Sequence, residues 1–262
     1  MSGTDIYNPT DEHQALRRMV RDFAERELQP QALEYDRDEK FNLELFRAVG
    51  QLGLLGITVD ERFGGSGMDP VATVLVHEEL SAVDPGFCLA YLAHSMLFVN
   101  NLQHNGNDEQ RERLLPGACS GELVGGMCMS EPNAGTDVLG MATTARKDGD
   151  DYILNGQKMW ITNGCIDDQT LGDVFLVYAR TGHARTDLSL FLVEKGMPGL
   201  KLGQRIKDKL GMRASPTAEL VFEDVRVPAR NLVGNEGEAT LHMMRNLEIE
   251  RLALAAMSLG IA

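Results

Sequence analysis

The run Met127-Cys128-Met129-Ser130-Glu131-Pro132-Asn133-Ala134-Gly135-Thr136-Asp137 sits where the chain changes character. Before it, apolar residues recur at helical spacing. After it, short β-prone runs alternate with turn residues. Within it, an apolar strand-like start gives way to a proline- and glycine-containing loop. Ser130 and Thr136 offer hydroxyls there, and Gly135 lets backbone approach a ligand closely. Taken alone, the stretch is equally a plain loop with a turn.

Upstream, Thr10 is placed to cap a helix whose first turn carries Asp11 and Glu12, where the helix dipole favours acids. Leu16, Met19, Val20 and Phe23 continue it, and Pro30 is expected to disturb it near its end. Asp69-Pro70 and Asp84-Pro85 each put a capping acid before a proline at the first helical position. They predict helices over about 70–82 and 85–104, the second stopped near Gly106. Asn107 and Gln110 form a capping-box pattern for a further helix to about Leu115.

Downstream, turn signals fall at Asp148-Gly149, Asn155-Gly156 and Asn163-Gly164. Strands are expected around Tyr152-Ile153-Leu154, Val174 to Tyr178 and Leu190 to Val193, with shorter ones at Leu220 to Phe222 and Val225 to Val227. Such close turns without intervening helices predict a small antiparallel barrel or sandwich. After Gly234 the pattern is helical again, and it reaches Ala262 without a stop signal. The expected fold is α+β: an N-terminal α-helical domain (1–121), a middle antiparallel β-barrel domain (122–234), and the first helix of a C-terminal helical bundle (235–262).

Composition bounds the rest. The 262 residues are 43% hydrophobic and 24% charged, which suits a folded soluble chain with a sizeable core. A net charge of −14 disfavours nucleic acid and anionic membrane surfaces as partners. No run approaches the roughly 18 apolar residues of a membrane span. Met1 to Thr10 lacks the basic start and apolar stretch of a secretory signal. Cys88, Cys119, Cys128 and Cys165 stand far apart with no CxxC pair, so reduced buried thiols are expected, not a zinc site or disulfides.

Three ordered motifs resemble the acyl-CoA dehydrogenase family. The Ser130–Asp137 loop is similar to its S/T-E-P-x-A-G-S/T-D signature. Lys158-Met159-Trp160-Ile161-Thr162-Asn163-Gly164 is similar to K-x-W-I-T-N-G. Lys209-Leu210-Gly211-Met212-Arg213-Ala214-Ser215, followed by Asp224-Val225-Arg226-Val227-Pro228, resembles K-L-G-x-R-x-S and D-V-x-V-P. The resemblance covers nearly the whole chain. It implies FAD as cofactor, lined by Met127, Met129, Ser130, Gly135 and Thr136 together with Trp160, Ile161 and Thr162. Thr136 by the same analogy borders the CoA path. The residue types fit: a flavin needs hydrogen-bond donors at its edge and an apolar or aromatic wall on its face.

Met243, Leu247, Glu250, Leu254 and Met257 repeat at spacings of four, three, four and three, so Glu250 interrupts an apolar stripe. A carboxylate placed this way has its pKa raised by desolvation, which suits a general base acting on a weak carbon acid. From periodicity alone, an ion pair with a cation of another helix is the simpler account. The resemblance favours the base. Leu247 to Ala255 matches the L-x-x-E-R-L-x-L-A pattern of a subset similar to isovaleryl-CoA dehydrogenase, and Tyr91-Leu92-Ala93-His94-Ser95 resembles that subset's corresponding helix. By this analogy Glu250 is the base, with Glu248 and Arg251 near the CoA thioester. Glu248 is otherwise explained by a pair with Arg245 or Arg251, and His94 reads as a satisfied core histidine.

The activity implied is α,β-dehydrogenation of a short- or branched-chain acyl-CoA, with electrons passed to an electron-transfer flavoprotein. The family's full-length form implies a homotetramer, cytoplasmic in bacteria or in the mitochondrial matrix after processing. Because most of the C-terminal bundle is absent from this chain, weak FAD binding, little turnover and an exposed apolar patch at Met243, Met244 and Leu254 are expected. The segment 165–173 looks longer than in isovaleryl-type enzymes. The alternatives are an acyl-CoA oxidase-like flavoenzyme and an inactive scaffold binding acyl-CoA or a partner protein.

Overall fold

The structure, a computed structural model, describes residues 10–262; the expectation about a leader segment falls mainly on residues outside that range. Side-chain caps set most helix starts. Thr10 accepts from the His13 N–H to open α1 (Asp11–Phe23), and Asn42 accepts from the Leu45 N–H to open α3 (Leu43–Gln51). Asp69 and Asp84 do the same for Ala72 and Phe87, at the heads of α4 (Pro70–Ser81) and α5 (Pro85–Leu92). The capping box of Asn107 and Gln110 is present on α7 (Asp108–Ser120), which runs past the expected end to left-handed Gly121.

The disturbance expected near Pro30 is present. A π-helical turn, Ala24–Leu28, precedes α2 (Gln29–Arg37), so the proline falls in the first turn of a new helical register, where no N–H is required of it. A second π stretch, Ala93–Asn100, links α5 to α6 (Asn101–Asn105), whose end at Gly106 is where the sequence predicts it.

The strands are β1 (Gly125–Cys128), β2 (Thr144–Asp148), β3 (Asp151–Thr162), β4 (Val174–Arg180), β5 (Leu188–Glu194), β6 (Leu200–Arg205), β7 (Thr217–Pro228) and β8 (Leu232–Val233). They form one open mixed sheet in the order β6-β7-β3-β2-β4-β5-β8, with β1 parallel to β4. The expected closed antiparallel barrel is therefore corrected. Parallel β1 pairs along β4 and leaves β2 a single bridge to it, Thr144 with Arg180, while β6 and β8 stay as unpaired edges.

Two turn readings also change. Asn155-Gly156 is not a turn but a bulge inside β3, where Gly156 has φ 151° and a Cβ would lie 2.4 Å from the Thr143 hydroxyl. The two short strands at 220–222 and 225–227 are one strand, β7, kinked at Asp224 with φ 51°.

β4 and β5 are buried on both faces. Val174, Leu176 and Tyr178 join the helices, whereas Phe175, Val177 and Ala179 join a core on the other side of the sheet. The last helix, α8 (Ala239–Ile261), packs Ala253 and Met257 into the core formed by α1, α4 and α5. Met244 and Leu254 are exposed as expected, but Met243 is buried, in the core cluster that also contains Tyr178 and Leu190. All four cysteines are free and buried. Among the described residues no helix is long and apolar enough to cross a membrane.

Candidate active site

β3 builds one wall of the site through an irregularity. Its pairing with β7 advances three residues, Lys158 to Ile161, against two on the partner, Leu220 to Ala218. The extra residue is absorbed around Trp160, which takes φ 60°. A regular strand would alternate its faces; the bulge instead presents Trp160, Ile161 and Thr162 to one cleft. Trp160 is half-exposed although large and aromatic.

The remaining walls come from three elements. Met127 near the end of β1, and Met129 and Ser130 just beyond it, form the second side. Ala93 and Leu97 of the π stretch form the third, and Leu247 and Glu250 of α8 close the fourth. The cleft is open to solvent on one side and holds about 180 Å³. Clefts of 350 and 540 Å³ lie elsewhere, so size does not select this one. What distinguishes it is the meeting of a carboxylate, two hydroxyls and an aromatic face on an otherwise apolar surface.

Glu250 is half-buried, and burial raises its carboxyl pKa above the ordinary value, with the nearby Arg251 charge opposing. No ion pair involves it among the described residues, so the simpler account of its place in the stripe finds no cation. His94 is fully buried: its Nε2 donates to the Ala118 carbonyl and its Nδ1 accepts from the Gly125 N–H, both at 2.9 Å. Burial lowers its pKa to about 4, so the neutral ring is a brace between α7 and β1.

Seven of the residues singled out in the sequence therefore share one cleft: Met127, Met129, Ser130, Trp160, Ile161, Thr162 and Glu250. Gly135 and Thr136 do not line it and stand exposed on the following loop. Glu248 lines the separate 350 Å³ cleft with Asn100, His104 and Arg245, and no ion pair joins it to Arg245 or Arg251 among the described residues. Arg251 is exposed and borders neither cleft. Leu97 was not singled out and Ala93 only within the Tyr91–Ser95 motif; their i, i+4 spacing was the available signal. Lys158 and Asn163 were also missed as supports. Asn163 at the end of β3 has φ 63° and donates to the carbonyls of Ala90 and Gly125.

The donor set fits a flavin. Ser130 and Thr162 could supply hydroxyls for its polar edge, and Trp160, Ile161 and the two methionines a flat, polarisable wall. No cluster of three or more His, Cys, Asp or Glu that could hold a metal exists among the described residues.

The comparisons agree. Residues 10–122 match the acyl-CoA dehydrogenase N-terminal domain and residues 126–225 the middle domain. Mitochondrial isovaleryl-CoA dehydrogenase of Pongo abelii is 46% identical over 258 residues, covering 96% of this chain and 60% of that protein. A chain from the structure described as the electron transferring flavoprotein of Acidaminococcus fermentans superposes with a TM-score of 0.92 at 38% identity, covering 98% of this chain and 66% of that one. Glutaryl-CoA dehydrogenase from Mycobacterium smegmatis in complex with FADH2 gives 0.88 at 33%, covering 96% and 62%. This chain thus spans about 60% of the length of the isovaleryl-CoA dehydrogenase it matches. Sequence motifs, the helical-then-sheet architecture and these likenesses converge, and the chain belongs to the acyl-CoA dehydrogenase family.

Proposed function

We propose that this chain supplies the flavin wall and the catalytic base of an FAD-dependent acyl-CoA dehydrogenase acting on short or branched acyl thioesters. The observation that carries it is the cleft in which the Glu250 carboxylate meets the Trp160–Thr162 bulge and the end of β1. An acyl thioester is a weak carbon acid at its α carbon. A carboxylate whose pKa is raised by burial is a better-matched base for it than an exposed one. Leu97, Leu247, Ala93 and Ile161 surround that carboxylate with apolar surface, which suits an acyl chain better than a polar group.

Bound flavin supplies the two-electron acceptor for the hydrogen at the β carbon. Ser130 and Thr162 would offer hydroxyls to its polar edge, and Trp160 would offer an aromatic wall to its ring. The thioester carbonyl also needs a hydrogen-bond donor as the α proton leaves. α8 runs unbroken through Glu250, so the Glu250 N–H is committed within the helix, and that donor comes from another group. Thr136, exposed on the loop beyond the cleft, is assigned to the CoA approach; Glu248 lines a separate cleft and Arg251 borders neither, so no thioester contact is assigned to them. An electron-transfer flavoprotein is the proposed electron acceptor, in keeping with the likeness to the Acidaminococcus structure.

The test is an anaerobic titration of the flavin-loaded protein with isovaleryl-, butyryl- and palmitoyl-CoA, following the visible flavin absorbance. Bleaching by the two small thioesters at lower concentration than by palmitoyl-CoA is expected. No bleaching by any of them would overturn the assignment. Rapid recovery of colour in air without an electron-transfer protein would mark an oxidase instead.

A further inference from the structure

Lys158 is the one lysine or arginine among the described residues that is fully buried, at 0% exposure. Its ammonium has three acceptors: Glu131 Oε1 at 2.9 Å, the Met129 carbonyl at 3.1 Å and Met141 Sδ at 3.6 Å. Glu131, 5% exposed, accepts in turn from the N–H of Ala142 at 2.6 Å and of Thr143 at 2.9 Å. One lysine and one glutamate thus touch both ends of the loop that leaves β1 at Met129 and returns to β2 through Thr143. Next to the lysine, the Met159 N–H donates to the Ser130 carbonyl at 2.9 Å, immediately before the Trp160 bulge.

Stability alone does not explain such a pair. Taking two charges out of water costs several kcal/mol each, and apolar replacements of similar volume are often neutral or better. What an apolar pair could not reproduce is the directional tie among the Met129 carbonyl, the 142–143 backbone and β3. Those ties place Met129 and Ser130, one side of the cleft, against Trp160, Ile161 and Thr162, the other side.

We infer that the buried Lys158–Glu131 pair is a positioning device for the flavin site, clasping the loop after β1 to the bulged end of β3. This rests on the flavin reading above. The clasp preorganises the two hydroxyls and the indole before any ligand arrives, so its loss loosens the cleft without removing a group that lines it.

Trp160 is the only tryptophan in the sequence, so its fluorescence reports this cleft alone. Three proteins are compared: the parent, Lys158→Met, and the charge-free double variant Lys158→Met with Glu131→Met. The single variant leaves a buried carboxylate unpaired, and its failure to fold would leave the decision to the double variant. The double variant is expected to melt cooperatively, to bind FAD at least tenfold more weakly, and to expose Trp160 to acrylamide quenching more than the parent does. A cooperatively folded double variant with FAD affinity within twofold of the parent and unchanged quenching overturns the inference. If the parent itself binds no FAD, the functional reading fails. The quenching comparison in flavin-free protein then still decides whether the pair sets the cleft.

Discussion

Replacing Glu250 with glutamine separates a catalytic carboxylate from a structural one. Glutamine keeps the shape and removes the base. General-base catalysis contributes about 10²- to 10⁴-fold, so turnover in a dye-reduction assay should fall by that factor, about 2.7 to 5.4 kcal/mol of barrier. Thioester binding should survive within a few-fold. The stability readout has a definite sign. Burial raises the Glu250 pKa, so between the ordinary carboxylate value and the raised one the folded protein holds a proton that the unfolded chain releases. Stability therefore declines as pH rises through that window, and above it the folded state carries an unfavourable charge. Glutamine removes this penalty, so Glu250→Gln should be at least as stable as the parent at pH 7. A carboxylate held in a buried ion pair would give the opposite result, a loss of about 3–5 kcal/mol. Turnover within tenfold of the parent, or a clear fall in melting temperature, would refute the reasoning.

Three further outcomes are expected. Burial depresses both His77 and His94 to about 4 from 6.5, so each contributes stability that is lost as pH falls through that interval, about 3 kcal/mol apiece by pH 4. Urea midpoints at pH 7, 6 and 5 should drop steadily, and an unchanged midpoint would contradict the buried neutral rings. At Gly125 an added Cβ would sit 2.3 Å from Phe98 Cδ1, so Gly125→Ala should cost about 1–3 kcal/mol in denaturant unfolding, and less in a Phe98→Ala background, which lacks the ring atoms the new methyl meets. Trp160→Ala should weaken FAD binding about 2- to 12-fold in a fluorescence titration, the factor corresponding to the roughly 0.5–1.5 kcal/mol of an aromatic pair.

Features written in local chemistry were legible. The caps at Asp69, Asp84 and Asn107 each need one side chain and one N–H three residues on, and the structure has all three. Pro30 signalled a disturbance but not its form: the π turn just upstream, which changes the register delivered to the proline, leaves no local mark in the sequence. Asn155-Gly156 carries turn chemistry, yet the same left-handed tolerance also serves a bulge, and only pairing with β7 tells them apart. Sheet closure was not legible either. It depends on which edges find partners, and β1 joins β4 across a sequence separation of almost fifty residues.

The site divides along the same line. An apolar stripe identifies a helix face but not what lies opposite it. On α8, Met243 and Met257 meet packed core, Leu254 meets solvent, and Glu250 meets the cleft, although all four belong to one predicted stripe. Half-burial of Glu250 is therefore a property of β3 and β1 as much as of α8. The wall facing it exists because a bulge breaks the alternation of β3. Beside that bulge, Lys158 turns inward to Glu131, while Trp160, Ile161 and Thr162 turn to the cleft. A strand with regular alternation would have put Ile161 on the opposite face from Trp160 and Thr162. The reactivity assigned to one carboxylate thus depends on an irregular stretch of β3 across the cleft, to which the buried ion pair ties the loop that follows β1.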